Sequence, residues 1–307
     1  MYIYTAYDLV INSEILLPEL EPVEDKSTAD ITLKISQSKT LDSIKTDRGQ
    51  SFVGEIAGVC EFAVQNGKEI SLVPAPGVGE PILRPLILGP IISILLRQRG
   101  LLVLHASCIS IDGSAVAFLG FSGSGKSTLA EFFHSQGYPV LTDDVMAVDT
   151  QQNPPLVISG FPQIKLWSEA ATVVGHDPQK LPKLHHLSEK LVHRLDSGFL
   201  PTNLPLKRIY VLDRGESHQI SKLGTQEAFA ELIRHCRAIS LLTHQSLISS
   251  HFNQSSALIG KVSICRLQRK MSLELLPELL NLIKEDLTQT AESYNPLSDR
   301  SPMLSSN

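Results

Sequence analysis

Cationic runs are missing from this 307-residue chain, in which 27 Lys and Arg stand against 32 Asp and Glu for a formal net charge of −5. Without a Lys/Arg cluster, a nonspecific nucleic-acid surface has no electrostatic footprint, so no nucleic-acid partner is expected. Cysteine is scarce too. Cys60, Cys108, Cys236 and Cys265 form no C-x-x-C pair and no metal-ligand spacing, so they read as free thiols of a reducing cytosol. The most lipid-like run, PLILGPIISILL from Pro85 to Leu96, has only 12 residues, contains Pro90 and is flanked by Arg84, Arg97 and Arg99. That length fits a buried core helix better than a membrane span. The opening MYIYTAYDLV lacks the basic-then-apolar order of a secretory signal. The expectation is a cytoplasmic protein with no membrane partner, for which a homo-oligomer stays open.

What is present is a composition with a real core, 42% hydrophobic and 19% charged, in a chain long enough for two domains. ADITLKIS (Ala29 to Ser36), GVCEFAVQ (Gly58 to Gln65) and EISLVPA (Glu69 to Ala75) read as strands, the last two joined by a hairpin at Asn66-Gly67. An apolar helix from about Ile82 to Gln98 follows and ends at Gly100. Residues 1–100 are therefore expected to form a smaller, strand-rich α+β domain. LLVLHASCISI (Leu101 to Ile111) reads as one long strand, turning at Asp112-Gly113 into SAVAFLG. KSTLAEFFHSQG is a helix closed by Gly137, and YPVLTDD the next strand, so the second part is an α/β unit. QIKLW and KRIYVLDRG read as strands. TQEAFAELIRHCRAISLL and LELLPELLNLIKEDL read as helices, with Thr225 and Ser272 as cap candidates. Residues 101–289 make the second domain. From Thr290 to residue 307 the polar, Ser/Pro-rich tail reads as disordered.

Between the second hairpin and its helix lies GFSGSGKS, Gly120 to Ser127, a complete P-loop pattern. Gly120, Gly123 and Gly125 let the backbone turn N–H groups toward one anion, with Ser122 and Ser124 between them. The helix start adds its positive dipole end. Lys126 can reach the outer phosphates, the Ser127 hydroxyl can ligate Mg²⁺, and Thr128 is placed for a further phosphate contact. A small-residue turn between strand and helix would not require Lys-Ser-Thr at these positions.

Asp143 and Asp144 come 17 and 18 positions after Lys126, one helix and one strand on. In motor-like and ABC-type ATPases the carboxylate strand comes much later. An aspartate at the end of the strand beside the loop strand would face the outer phosphate and its metal. Adjacent strand residues point to opposite faces, so both can serve one metal only if Asp144 lies past the strand end. The alternative is an Asp-capped turn. His105, within VLHAS, is by itself more simply a hydrogen-bonded core histidine. Additional cations for the reacting phosphate could come from Lys165, Lys190, Arg194 or Arg237; Lys190 and Arg194 sit in EKLVHRLDSGF, which reads as a loop. Trp167 is expected in the core, with adenine stacking as the alternative. His185, His186 and His193 form no metal set with the cysteines.

The stretch LHAS…DGSAVAFLGFSGSGKSTLAEFFHSQGYPVLTDD resembles the catalytic domain of the HPr kinase/phosphorylase family, where a strand histidine, a P-loop and an Asp-Asp pair follow in this order at similar spacing. The wider chain, from YDLVINSEILLPEL through FPQIKLW and LPLKRIYVL, more closely resembles HPr-kinase-like proteins of bacterial gene clusters, some associated with lasso-peptide biosynthesis. Some of those phosphorylate a serine on a precursor peptide. The resemblance implies that Asp143 or Asp144 takes the proton from a substrate serine, while the other holds Mg²⁺ with Ser127. Asp143, placed as the last strand residue facing the loop, is preferred as base, and Asp144 as metal ligand. His105 would orient an aspartate or the nucleophile. The family's glycine- and acid-rich segment after the Asp pair has no counterpart here, where SGFPQIKLWSEAA stands instead. HPr is therefore expected to be a poor substrate and the reverse, phosphorolytic reaction to be absent.

The expected fold is α/β, with an HPr-kinase-type P-loop core behind the strand-rich N-terminal domain. The expected function is ATP- and Mg²⁺-dependent phosphoryl transfer to a serine hydroxyl of a peptide or protein. A small-molecule kinase and a non-catalytic ATP-sensing module are the alternatives.

Overall fold

The computed structural model describes residues 1–24, 28–37, 41, 44, 50–239 and 245–292. Its fold is mixed α/β, with three sheets among the described residues. The first holds β1 (Tyr2–Ala6), β2 (Leu9–Ser13), β3 (Glu21–Pro22), β4 (Ile31–Ile35), β5 (Ser51–Ile56), β6 (Cys60–Gln65) and β7 (Glu69–Pro74), in the order β3-β1-β2-β4-β7-β6-β5. Asn66 and Gly67, between β6 and β7, both take positive φ (54° and 61°), as tight hairpin turns require. The β1–β2 turn does the same with Tyr7 and Asp8 (56° and 58°), a pair with no such sequence signal.

The apolar run after β7 forms a helix Glu80–Leu86, a π-helical segment Ile87–Ile91 and a helix Ile92–Gln98. Pro90 accounts for the middle segment. It has no N–H to donate and its ring crowds the carbonyl four residues back, so the helix widens there. Leu83, Ile87, Ile91 and Leu95 pack in one cluster with Leu33, Val64 and Leu72 of the sheet. That cluster also takes in Val103, Val145 and Phe161, so the parts before and after residue 100 share a core.

The remaining strands are β8 (Leu102–Leu104), β9 (Ala106–Ile111), β10 (Ser114–Leu119), β11 (Val140–Thr142), β12 (Met146–Asp149), β13 (Leu156–Ile158), β14 (Gln163–Leu166), β15 (Leu191–Arg194), β16 (Leu204–Arg214), β17 (Gln219–Lys222) and β18 (Ser263–Arg269). Nine form one sheet, in the order β11-β9-β10-β16-β13-β12-β8, with β18 also on β16 and β17 on β18; β14 and β15 pair separately. The run Leu101–Ile111, expected as one strand, breaks at His105. Its backbone N–H leaves the ladder for the His235 carbonyl at 2.7 Å, so β8 pairs with β12 while β9 pairs with β10 and β11. A second correction concerns the aspartates: β11, which leads to them, pairs with β9 and not with β10. One strand therefore separates it from the strand that enters the glycine loop.

The helix after that loop, Lys126–Ser135, buries Phe133 against Phe118 and Tyr138, with ring centroids 5.8 and 5.3 Å away. The helix expected from Thr225 to Leu242 stops at Arg234. Beyond it the chain is drawn to the open edge of β8, where Cys236 bridges Leu104, Arg237 N–H donates to the Val103 carbonyl at 2.9 Å, and Ala238 turns at φ 54°. Neither expected cap acts through its side chain: Gly224 is the N-cap before Thr225, and Ser272 stands before the short 3₁₀ turn Leu273–Leu275 without a side-chain cap bond. A helix Gln245–Lys261 had no sequence expectation. The helix Leu276–Glu292 carries Leu279, Ile283 and Leu287 into the core, and its backbone runs past Thr290, the expected start of the tail. Residues 293–307 lie outside the described residues. All four cysteines are free. Among the described residues no helix is long and apolar enough to cross a membrane.

Candidate functional site

The loop joining β10 to the helix Lys126–Ser135 holds Gly123 and Gly125 at φ 81° and 85°, where a side chain strains the backbone. Gly125 is also required by space. A Cβ there would lie 2.1 Å from a terminal nitrogen of Arg269, whose guanidinium donates to the Ser124 carbonyl at 2.6 Å. No side chain caps the helix at Gly125. Its first-turn N–H groups, which have no intrahelical acceptor, are left to a ligand or to water.

Lys126 folds back along the loop, its Nζ donating to the Gly120 and Phe121 carbonyls at 2.8 and 3.0 Å. Burial lowers its pKa to about 8, against the opposing pull of Asp143 and Asp144. The ammonium is thus present below pH 8 and lost above it. Affinity for a triphosphate should accordingly fall by about tenfold per pH unit above 8, until the pKa of the bound state is passed. Calorimetric titration of a nonhydrolysable ATP analogue between pH 6.5 and 9.5 would check this (about three units spanning that pKa). Flat affinity across the range would show that Lys126 keeps its proton or contributes no charge.

The aspartates meet this loop through side chains rather than through a neighbouring strand. Asp143 Oδ1 accepts from Ser127 Oγ at 2.9 Å and from Ser107 Oγ, on the intervening β9, at 2.6 Å. Asp143 Oδ2 accepts from the Lys165 backbone N–H at 3.0 Å. Strand β11 ends at Thr142. Asp144 takes φ 73°, and the Val145 N–H donates to the Asp143 carbonyl at 2.9 Å, a γ-turn centred on Asp144. The Thr142 and Tyr7 hydroxyls brace it by donating to the Val145 carbonyl at 2.7 and 3.2 Å. Within a regular strand the two carboxylates would face opposite ways. The turn sends both into one cleft.

Asp144 is surrounded by donors, two of them cationic. Lys165 Nζ reaches its Oδ2 at 2.8 Å, His105 Nε2 its Oδ1 at 3.1 Å, and the Arg237 guanidinium contacts Oδ1 as well as the Asp144 carbonyl. Burial by itself would raise the Asp144 carboxyl, but Lys165, the His105 hydrogen bond and Arg237 hold it well below the usual carboxylate range. Burial lowers the His105 pKa despite Asp144, so the ring is neutral at pH 7 and donates through Nε2.

His105, Ser122, Gly123, Gly125, Lys126, Ser127, Thr128, both aspartates, Lys165 and Lys190 line this cleft, and Arg237 closes it behind Asp144. Arg194 does not belong. The segment expected as a loop is strand β15, and Arg194 pairs with Gln163 at the end of the β14–β15 hairpin far from Lys190. At ~3.3 Å per residue that places their Cα atoms more than 10 Å apart. Arg194 instead bonds Glu21 at 2.8 Å and the Pro18 carbonyl. Trp167, expected in the core, is 47% exposed at the cleft, with Lys190 Nζ 5.6 Å from its ring centroid. It ends the β14 hairpin arm as the N-cap of the helix Ser168–Val173, which turns its ring out of the sheet packing. Ser107, Glu169, Arg269, Met271 and Leu273 also reach the site without any motif of their own.

No protein-family model matches the chain, and no curated protein matches it. Among solved structures, the HPr(Ser) kinase/phosphatase from Coxiella burnetii is similar over 62% of this chain and 96% of that chain, at 12% identity and a TM-score of 0.33. The chemistry of the cleft rests on its own geometry. Lys126, Lys165, Lys190, Arg237 and Arg269 converge on it with the uncapped helix start, against Asp143, Asp144 and Glu169. Clustered cations beside these carboxylates suit a polyanion accompanied by a divalent cation.

Proposed function

We propose that the protein is an ATP- and Mg²⁺-dependent kinase that phosphorylates a hydroxyl, most simply a serine of a peptide or protein. The observation that carries this reading is the hydrogen bond from Ser127 to Asp143, next to an Asp144 held by His105, Lys165 and Arg237. Ser127 Oγ and Asp143 Oδ1 are hard oxygen donors side by side, the ligand type Mg²⁺ takes. Mg²⁺ held by them would neutralise charge on the phosphates. The glycine loop and Lys126 bind the phosphate chain, and the exposed Trp167 ring is available to the base.

Asp144 then accepts the proton of the acceptor hydroxyl as its oxygen bonds phosphorus and the bond to ADP breaks. His105 orients the carboxylate, and Lys165 and Arg237, which depress its pKa while paired with it, would turn to the reacting phosphate for it to act as base. This division of roles reverses the preference drawn from strand position. Asp143 is committed to the Ser127 hydroxyl, whereas Asp144 is held on the γ-turn among groups that can orient it.

Incubation with Mg·ATP and panels of serine-containing peptides, HPr and small hydroxyl metabolites, followed by mass spectrometry, tests the reading. The expected result is a phosphoserine peptide, with little phospho-HPr and no pyrophosphate formed from phosphorylated product and phosphate. Phosphorylation of a metabolite alone would make it a small-molecule kinase. Tight ATP binding with no acceptor phosphorylated would favour a sensing module.

A further inference from the structure

On the opposite end of the glycine-loop helix, Glu131 and His134 stand one turn apart, at the i, i+3 spacing that puts two side chains on one face. Glu131 is only 1% exposed, and three imidazoles from separate elements close on its carboxylate. His134 Nδ1 lies 3.4 Å from Oε1, His176 Nε2 2.8 Å from Oε1, and His193 Nδ1 3.0 Å from Oε2. The ligand atoms of Glu131, His134 and His193 all lie within 4.8 Å of one another. The His176 ring is 4.2 Å from that of His193, centroid to centroid. Along the chain His193 lies nearer His185 and His186, but the fold brings it to Glu131 and His176.

We propose that Glu131, His134, His176 and His193 form a binding site for a zinc-type divalent cation, distinct from the Mg²⁺ position at Ser127 and independent of the kinase reading. The tautomer of His134 argues for it. Its Nε2 lies 3.0 Å from the Ser197 carbonyl, which can only accept, so Nε2 carries the hydrogen. Its Nδ1 then faces a carboxylate oxygen, a contact that either a bound cation or a second ring proton would satisfy. An imidazole whose outer N–H is fixed on a backbone carbonyl while its other nitrogen faces a cluster of donors is the arrangement metal-binding histidines adopt. Two nitrogens and the carboxylate are gathered already, and His176, bonded to Oε1 but outside that group, would swing in as the fourth ligand of a set suited to Zn²⁺ and poorly suited to Mg²⁺ or Ca²⁺. Bonds of about 2.0–2.1 Å would put neighbouring ligand atoms about 3.3 Å apart, so the group and His176 must draw in around the ion.

The position gives the cation a role. His193 is on β15, and His176 follows the helix Ser168–Val173 through a turn at Gly175 (φ 89°), its N–H donating to the Ala171 carbonyl at 2.9 Å. The ion would clamp the hairpin that carries Lys165, Trp167 and Lys190 to the helix that begins with Lys126.

The test uses tag-free, chelator-treated full chain titrated with Zn²⁺ by calorimetry, and with Co²⁺ for its visible absorption. One equivalent of Zn²⁺ should bind in the presence of excess Mg²⁺ and raise Tm, and Co²⁺ should show the intense bands of four-coordinate geometry. His134→Ala and His193→Ala should each weaken Zn²⁺ by more than about 100-fold, beyond the loss caused by outer-shell changes. His186→Ala and Lys126→Ala should bind as the parent does. His176→Gln, at a partly exposed position, serves if the other variants fold poorly. Absence of stoichiometric Zn²⁺ binding by the parent chain, or undiminished binding by the histidine variants, would overturn the proposal and leave a proton-sharing cluster.

Discussion

Asp144→Asn is expected to slow single-turnover phosphoryl transfer by about 10²–10⁴-fold, the usual contribution of a positioned base, with Mg·ATP affinity unchanged or tighter. Removing this charge frees Lys165 and Arg237, both now paired with it, to meet the phosphates. Asp143→Asn should behave differently and lose affinity as well as rate, because it weakens the oxygen pair with Ser127. The discriminating measurement is the pair of constants for each variant, Mg·ATP affinity by calorimetry and transfer rate by rapid quench, on protein whose Tm shows it folded. The melting check matters for Asp144, because the variant leaves the part-buried Lys165 and Arg237 without a charged partner. Transfer at the parent rate by Asp144→Asn would remove it as base. The reverse pattern between the two variants would restore Asp143 to that role.

Lys126→Ala should weaken a nonhydrolysable ATP analogue by about 10–100-fold, the loss expected for charge-assisted hydrogen bonds of about 1.5–3 kcal/mol. Two effects add here. The phosphate loses its ammonium partner, and the loop loses the brace Nζ makes to the Gly120 and Phe121 carbonyls. Lys126→Met retains the apolar stem and the packing while removing the charge, so a similar loss in both variants would assign the effect to charge. Unchanged affinity in calorimetry would sink the phosphate role of the loop. Both variants should keep the proposed zinc site, since Glu131 and His134 lie more than a turn further along the helix.

The glycine loop and its setting were legible along the chain because every requirement is local. Positive φ at Gly123 and Gly125, the Asp112-Gly113 turn and the helix register are set within a few residues, where steric rules act directly. The apolar helix was equally legible, except that Pro90 made its centre π-helical. The elements misjudged were those decided by competition for distant partners. His105 interrupts a strand because the His235 carbonyl takes its N–H, and the helix from Thr225 stops because β8 offers an open edge.

The site divides along the same line. Sequence by itself determined that a glycine-rich loop, a histidine and an aspartate pair lie close in the chain. It could not show where the two carboxylates point, because their directions depend on a γ-turn braced by Tyr7, from the turn between β1 and β2. Nor could it bring Arg237 and Lys165 onto Asp144, exclude Arg194, or gather His134, His176 and His193 around Glu131. Those are contacts between residues tens of positions apart. Their geometry follows from which strand pairs with which and from the burial of charges that must then find partners, and only the tertiary structure decides that.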